Sequence, residues 1–251
     1  MTSPALVVVH PDPDSLAAGI AARLVTEILT AQARTGQAHI ALTGGGIGTA
    51  CLAAVLAEPA QAAVNWSAVD FWWSDERFEP TGSDLRNETS ARTEFLNHLP
   101  VDPARIHPMP ALGGSYGDDV DAAAAGYAAE LAAAAGDADG IPRIDVAMLG
   151  VGPDGHVASL FPGHEGLHTP GSVIAVRNSP KPPPTRLSFT FATINSASQV
   201  WLVADGAAKA PALAAALRPA GGIPTLPAGL VHGTDVTLAL LDVAAAAQLA
   251  G

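Results

Sequence analysis

Cysteine is almost absent from this chain of 251 residues, where Cys51 stands alone. An internal disulfide is therefore excluded, and so is a zinc site built on thiolates. Lysine is nearly as rare: of twelve Lys and Arg residues, only Lys181 and Lys209 are Lys. Positive charge is scarce as a whole, with a formal net charge of −12 and an isoelectric point near 4.8. That balance argues against a nucleic-acid partner, whose phosphates need clustered Lys and Arg. It also removes any global attraction for an anionic metabolite, so positive potential for such a ligand must be local. Every apolar run is broken by Asp, Arg, His or Pro before the roughly 20 residues that a membrane span needs. Residues 1–10 lack the basic start and small-residue cleavage site of a secretion signal. The expectation is a soluble, cytoplasmic protein with no membrane partner. At 49% hydrophobic residues the chain has enough apolar surface to offset its ordering entropy, which excludes disorder.

Several chemical signatures are missing too. There is no His-Glu-x-x-His, no Gly-x-Ser-x-Gly elbow, no dinucleotide-binding GxGxxG pattern and no P-loop. The eight His residues are scattered, and His164 with His168 falls in a Gly/Pro-rich stretch. No metal or other cofactor is expected, and water is a better candidate nucleophile than serine.

What is present is alternation. Short β-rich apolar runs at 6–10, 39–43, 69–73, 144–149, 173–176, 187–191, 199–203 and 236–241 read as strands. Longer stretches of helical period at 14–34, 49–57, 83–96, 118–135 and 206–217 lie among them. Asp14 and Asp118 are candidate helix caps, and the proline-rich runs 179–184 and 219–227 read as loops. Strands apolar on both sides and alternating with helices predict one α/β domain over 1–251, doubly wound, with a mostly parallel central sheet and helices on both faces.

Four segments follow predicted strands, where ligands bind in open parallel sheets. Thr43-Gly44-Gly45-Gly46-Ile47-Gly48-Thr49 presents bare backbone N–H groups ahead of a helix, either as a phosphate nest or as a tight turn without a ligand. Phe71-Trp72-Trp73-Ser74-Asp75-Glu76-Arg77 passes abruptly from core aromatics to charge, as an ionic site or a solvated turn. Downstream, Ser83-Asp84-Leu85-Arg86-Asn87 supplies cap and loop polar groups. Gly150-Val151-Gly152-Pro153-Asp154-Gly155-His156 holds a carboxylate two residues from an imidazole, the pairing that fixes a tautomer and prepares a general base. Ser179-Pro180-Lys181-Pro182-Pro183-Pro184-Thr185-Arg186 stiffens a loop bearing two cations, and Lys209 follows another strand.

Together these segments resemble the 6-phosphogluconolactonase family. The resemblance rests on Thr-Gly-Gly-Gly at 43–46, Trp-Ser-Asp-Glu-Arg at 73–77, the run 150–163 and Ser-Pro-Lys-Pro-Pro with Arg at 179–186. It extends from about residue 4 to residue 245. It implies the fold shared with glucosamine-6-phosphate deaminases and ribose-5-phosphate isomerases, and metal-independent hydrolysis of a sugar-phosphate lactone in the oxidative pentose phosphate pathway. By that resemblance His156 is the base that activates water, with Asp154 as its neighbour. Arg77, Lys181, Arg186 and Lys209 form the charged part of the substrate site, with Arg186 and Lys209 assigned to phosphate. Gly44, Gly45 and Gly46 are the phosphate-cradling backbone. The partner implied is a small sugar-phosphate lactone, and the assembly a monomer or weak homodimer. Two departures bear on affinity. The family usually opens the glycine loop with Ser and follows the glycines with Ser or Thr, whereas Thr43 and Gly46 stand here. It also commonly has Ser-Asn where Arg86-Asn87 stands. Two other readings remain open: an aminosugar-phosphate deaminase or isomerase with Asp75 as proton-shuttling base, and a non-catalytic sugar-phosphate sensor.

Overall fold

The computed structural model describes residues 4–136, 140–219, 222 and 224–249; residues 220, 221 and 223 of the expected loop 219–227 lie outside them. Strands β1 (Leu6–His10), β2 (Ala38–Leu42), β3 (Val69–Trp73), β5 (Val146–Gly150), β8 (Gln199–Ala204) and β9 (Val236–Asp242) form one sheet in the order β1-β9-β8-β5-β2-β3. Every pairing in it is parallel. All five residues of β2 and of β3 are buried, as expected of strands covered on both faces.

The expected strands at 173–176 and 187–191 do not join this sheet. Strands β4 (Asp75–Arg77), β6 (Val173–Val176) and β7 (Arg186–Phe189) make a second, antiparallel sheet in the order β4-β7-β6. The cause is connection length. The link 177–185 is shorter than the dozen or so residues that a parallel crossover requires, so β6 and β7 can only fold back on each other. Phe191, expected in the strand, opens helix α5 (Phe191–Ser196) instead, capped by the Thr190 hydroxyl.

The helices are α1 (Pro13–Thr35), α2 (Gly45–Val55), α3 (Asn87–Glu94), α4 (Val120–Ala135), α6 (Ala210–Leu217) and α7 (Pro227–Leu230). Asp12, not Asp14, caps α1, accepting from the Ser15 N–H at 2.7 Å, because Pro13 takes the first helical position. Asp119, not Asp118, caps α4. Helix α1 has the length and apolarity of a membrane span. Its residues Leu16, Ile20, Leu24 and Ile28 form one fully buried stripe packed toward β1, β2 and β9. Each contributes about 1.5–3 kcal/mol relative to exposure. Arg23 and Glu27 sit away from that stripe, the pattern of an amphipathic core helix.

Two features of the topology position the site. From β2 the chain runs to β3 on one side, and from β5 to β8 on the other, so neighbouring β2 and β5 flank the switch point where ligands bind in such sheets. Ser74 joins the two sheets: its N–H donates to Leu42 O at 2.9 Å, and its carbonyl accepts from Phe189 N–H at 2.8 Å. The chain therefore leaves β3 and enters β4 directly beside the switch point.

Candidate active site

A cleft of about 400 Å³ opens over the carboxyl ends of β2, β5 and β8. Thr43, Gly44, Gly45, Gly46, Asp75, Arg77, His156, Lys181, Arg186 and Lys209 all line it. Asp154 stands behind His156, hydrogen-bonded to it. Both lysines of the chain are in this one cleft.

The glycine run is more helical than its composition suggests. Helix α2 begins at Gly45, with Gly44 as its cap, so the glycines form the first turn rather than a loop preceding it. Gly45 has φ +83°, a left-handed conformation that a side chain would strain, and it turns the chain from strand into helix. Unpaired N–H groups and the helix dipole thus meet at the cleft, the arrangement that holds anions. The Thr43 hydroxyl accepts from Gly150 N–H at 3.0 Å across the switch point.

On the short strand β4, side chains alternate. Asp75 and Arg77 line the cleft, while Glu76 is fully buried on the other side. Glu76 accepts from the backbone N–H groups of Arg77, Asn87 and Glu88 at 2.7–2.8 Å and so caps α3. Burial pushes its carboxyl up to about 7, against the nearby Arg86 charge and these hydrogen bonds. Asn87, at the first turn of α3, donates to Asp75 O at 2.9 Å and accepts from Arg77 through its side-chain oxygen. It lines the cleft as well. Arg86 does not. It is buried, bonded to Glu88 and to the carbonyls of Arg77, Glu79 and Met109, so that departure from the family pattern lies behind the site.

After β5 the turn carrying Gly152 brings His156 Nδ1 to 2.6 Å from Asp154 Oδ1. With Asp154 ionised, the imidazole Nδ1–H donates to the carboxylate, which leaves Nε2 as the basic nitrogen. Burial lowers the pKa of the imidazole; Asp154 opposes that shift, and the Lys181 ammonium, 3.3 Å from Nδ1, adds to it. The ring is therefore neutral at neutral pH, as a base must be. Burial works to raise the Asp154 carboxyl, but the His156 hydrogen bond and the charges of His156 and Lys181 outweigh it and hold the group below its ordinary range.

Arg186 spends most of its donors on the loop it follows: Nε to Pro183 O at 3.1 Å, and one terminal nitrogen to Lys181 O and Pro182 O at 3.0 and 3.3 Å. The guanidinium therefore fixes the backbone that presents Lys181. Burial lowers the pKa of Lys209, and the repulsion of Lys181 adds to this; an anion in the cleft would relieve that repulsion. Asn87 and Asp205 also line the cleft without having been singled out as binding groups in the sequence, where isolated polar residues at loop ends carry no spacing signal. Among the described residues no group of three or more His, Cys, Asp or Glu is placed to hold a metal ion.

The family model described as glucosamine-6-phosphate isomerases/6-phosphogluconolactonase matches residues 11–240. The chain belongs to this family. Within it, a curated 6-phosphogluconolactonase from Streptomyces coelicolor is 51% identical over 246 residues, covering 97% of this chain and 94% of that one. The solved 6-phosphogluconolactonase from Trypanosoma brucei is 26% identical, with a TM-score of 0.82 and full coverage of both chains. A monomeric glucosamine-6-phosphate deaminase of known structure has a TM-score of 0.77 at 21% identity, covering 96% of this chain and 99% of its own, and shares the fold. The α/β architecture is thus common to both activities of the family, and the side chains in the cleft must distinguish them.

Proposed function

We propose that this chain hydrolyses 6-phospho-D-glucono-1,5-lactone to 6-phospho-D-gluconate. The observation that carries the reading is the hydrogen-bonded His156–Asp154 pair set at one cleft with a helix N-terminus and four cations. The 51% identical relative named as a 6-phosphogluconolactonase supports it.

In this mechanism the 6-phosphate rests on the first turn of α2, with Lys209 and the remaining donors of Arg186 beside it. The lactone carbonyl then lies near His156. His156 Nε2 removes a proton from water as the water oxygen attacks C1, and Asp154 stabilises the imidazolium that forms. The oxyanion is met by the cationic wall of Lys181 and Arg77. The bond from C1 to the ring oxygen breaks as His156 returns its proton to that oxygen. The acid product ionises. Base, oxyanion donors and anion cradle all come from the chain itself, so the reaction needs no cofactor. A cytoplasmic monomer or weak homodimer belongs to the same reading, and sedimentation would test the assembly.

The test compares lactone hydrolysis by the wild type, by His156→Ala and by buffer alone, since the lactone opens spontaneously. Loss of general-base catalysis should cost about 10²–10⁴-fold in kcat. A His156→Ala protein with full kcat would refute the assignment of the base. Release of ammonia from glucosamine 6-phosphate would move the chain to the deaminase activity, and binding of 6-phosphogluconate without hydrolysis would make it a sensor.

A further inference from the structure

Three loops must hold their spacing for this reaction: β4 with Arg77, the His156 loop, and the proline-rich loop with Lys181. One buried group touches all three. Ser159, three residues after His156, is 1% exposed. Its hydroxyl donates to Asp75 Oδ2 at 2.7 Å, which ties the His156 loop to β4. The same oxygen lies 3.5 Å from a terminal nitrogen of Arg186, whose other donors hold the carbonyls of Lys181, Pro182 and Pro183. That nitrogen is also 3.9 Å from Asp75 Oδ2. The second Asp75 oxygen faces the Asn87 amide at 3.4 Å, on the side of Arg77. The Ser159 backbone N–H is occupied separately, by the Ser188 hydroxyl at 3.1 Å.

We infer that Ser159 is a positioning residue for the lactonase reaction, acting through Asp75 and Arg186 to set the distance between His156 and the cations. This rests on the proposed hydrolysis. The Asp75 carboxylate then serves as the strut between loops and not as a proton carrier, since both oxygens are engaged by side chains. A hydrogen bond to a charged group, buried and without replacement, is among the stronger single links in a protein. A displacement of about 1 Å at a reacting group is enough to cost about 10²-fold in rate. Of the anion cradle, the first turn of α2 and Lys209 are not in contact with Ser159 and only Arg186 meets it, at 3.5 Å, so the loss should fall on kcat more than on KM.

The experiment is a double-mutant cycle on the full chain, with wild-type hydrolysis above the buffer blank measured first. Absence of that hydrolysis would overturn the proposed function itself, separately from this inference. Ser159→Ala should lower kcat about 10- to 100-fold, change KM less than threefold and leave the pH of the acidic limb unmoved. In an Asp75→Ala background the same substitution should have almost no further effect, because both changes cut one link. Ser188→Ala, equally buried and bonded to the same residue through its backbone, is the matched control and should cost much less. Multiplicative effects in the cycle, or equal losses for Ser188→Ala and Ser159→Ala, would overturn the role. So would a kcat for Ser159→Ala within threefold of wild type. If Ser159→Ala does not yield folded protein, Ser159→Cys keeps a weaker donor in nearly the same volume and carries the same predictions.

Discussion

An ideal β-carbon built on Gly152 would lie 2.0 Å from His156 Nδ1 and 2.5 Å from Asp154 Oδ1. Non-bonded heavy atoms settle at about 3.5–4.0 Å, so in Gly152→Ala the imidazole must retreat by about 1.5 Å. The atoms in the way are side-chain ends at a cleft, not backbone, and they can rotate. The backbone of Gly152 lies outside the left-handed region, so alanine is allowed there and should stiffen the unfolded chain by about 0.4–1 kcal/mol. Stability and activity should therefore separate. We expect Tm to stay within about 4 °C of wild type, as a net change near 1 kcal/mol implies for a chain of this size. We expect kcat to fall about 10²-fold, or about 2.7 kcal/mol in the barrier, because the base no longer meets water and carbonyl together. Acid release in a pH-stat, corrected for spontaneous opening, measures the rate, and thermal melting controls for the fold. A kcat within threefold of wild type would refute the argument that this dyad geometry sets the rate. A fall in Tm beyond about 10 °C would show that the glycine serves the fold instead.

Two further expectations follow from other positions. A β-carbon at Gly46 meets nothing within 4 Å, so Gly46→Ser adds a hydroxyl to the anion cradle without a clash; KM should fall about 3- to 10-fold with kcat unchanged, read from initial rates. Far from the cleft, His107 donates to Asp70 and Glu130 at 3.0 and 2.7 Å and stacks on Trp72. Burial opposes its charge, but the two carboxylates prevail and raise it to about 9. Because that value exceeds the unfolded one, the stabilisation is complete below about 6.5 and is lost as pH rises through about 9. Melting curves from pH 6 to 10 should show it, and His107→Phe should flatten the decline; an unchanged slope would refute the linkage.

The cleft was legible because its residues sit at strand ends, and strand ends in a parallel sheet gather at one edge. Gly150 to His156 could be read as chemistry since two glycines frame a carboxylate and an imidazole at fixed spacing. The second sheet was also within reach: the link 177–185 is too short to return β7 parallel to β6, but both runs look like any other buried strand. Helix α2 starts four residues before the expected stretch 49–57 because glycine is a poor helix former, and propensity cannot see that a first turn needs no side chains. Asp12 and Asp119 each have an acidic neighbour one or two residues away that caps equally well on paper. Ser159 and Asn87 lie inside the marked segments 150–163 and 83–87, but nothing there distinguishes their individual roles, because those roles lie in partners more than ten residues distant in the chain.

The two lysines have a consequence of their own. With the other ten of the twelve Lys and Arg residues arginine, the chain offers acylating reagents no side-chain amine outside the pocket that both lysines line. Lys209, made less basic by its buried setting, is the softer target. Amine-directed labelling read at Lys209 by peptide mapping would thus report occupancy of this pocket, with bound sugar phosphate shielding it.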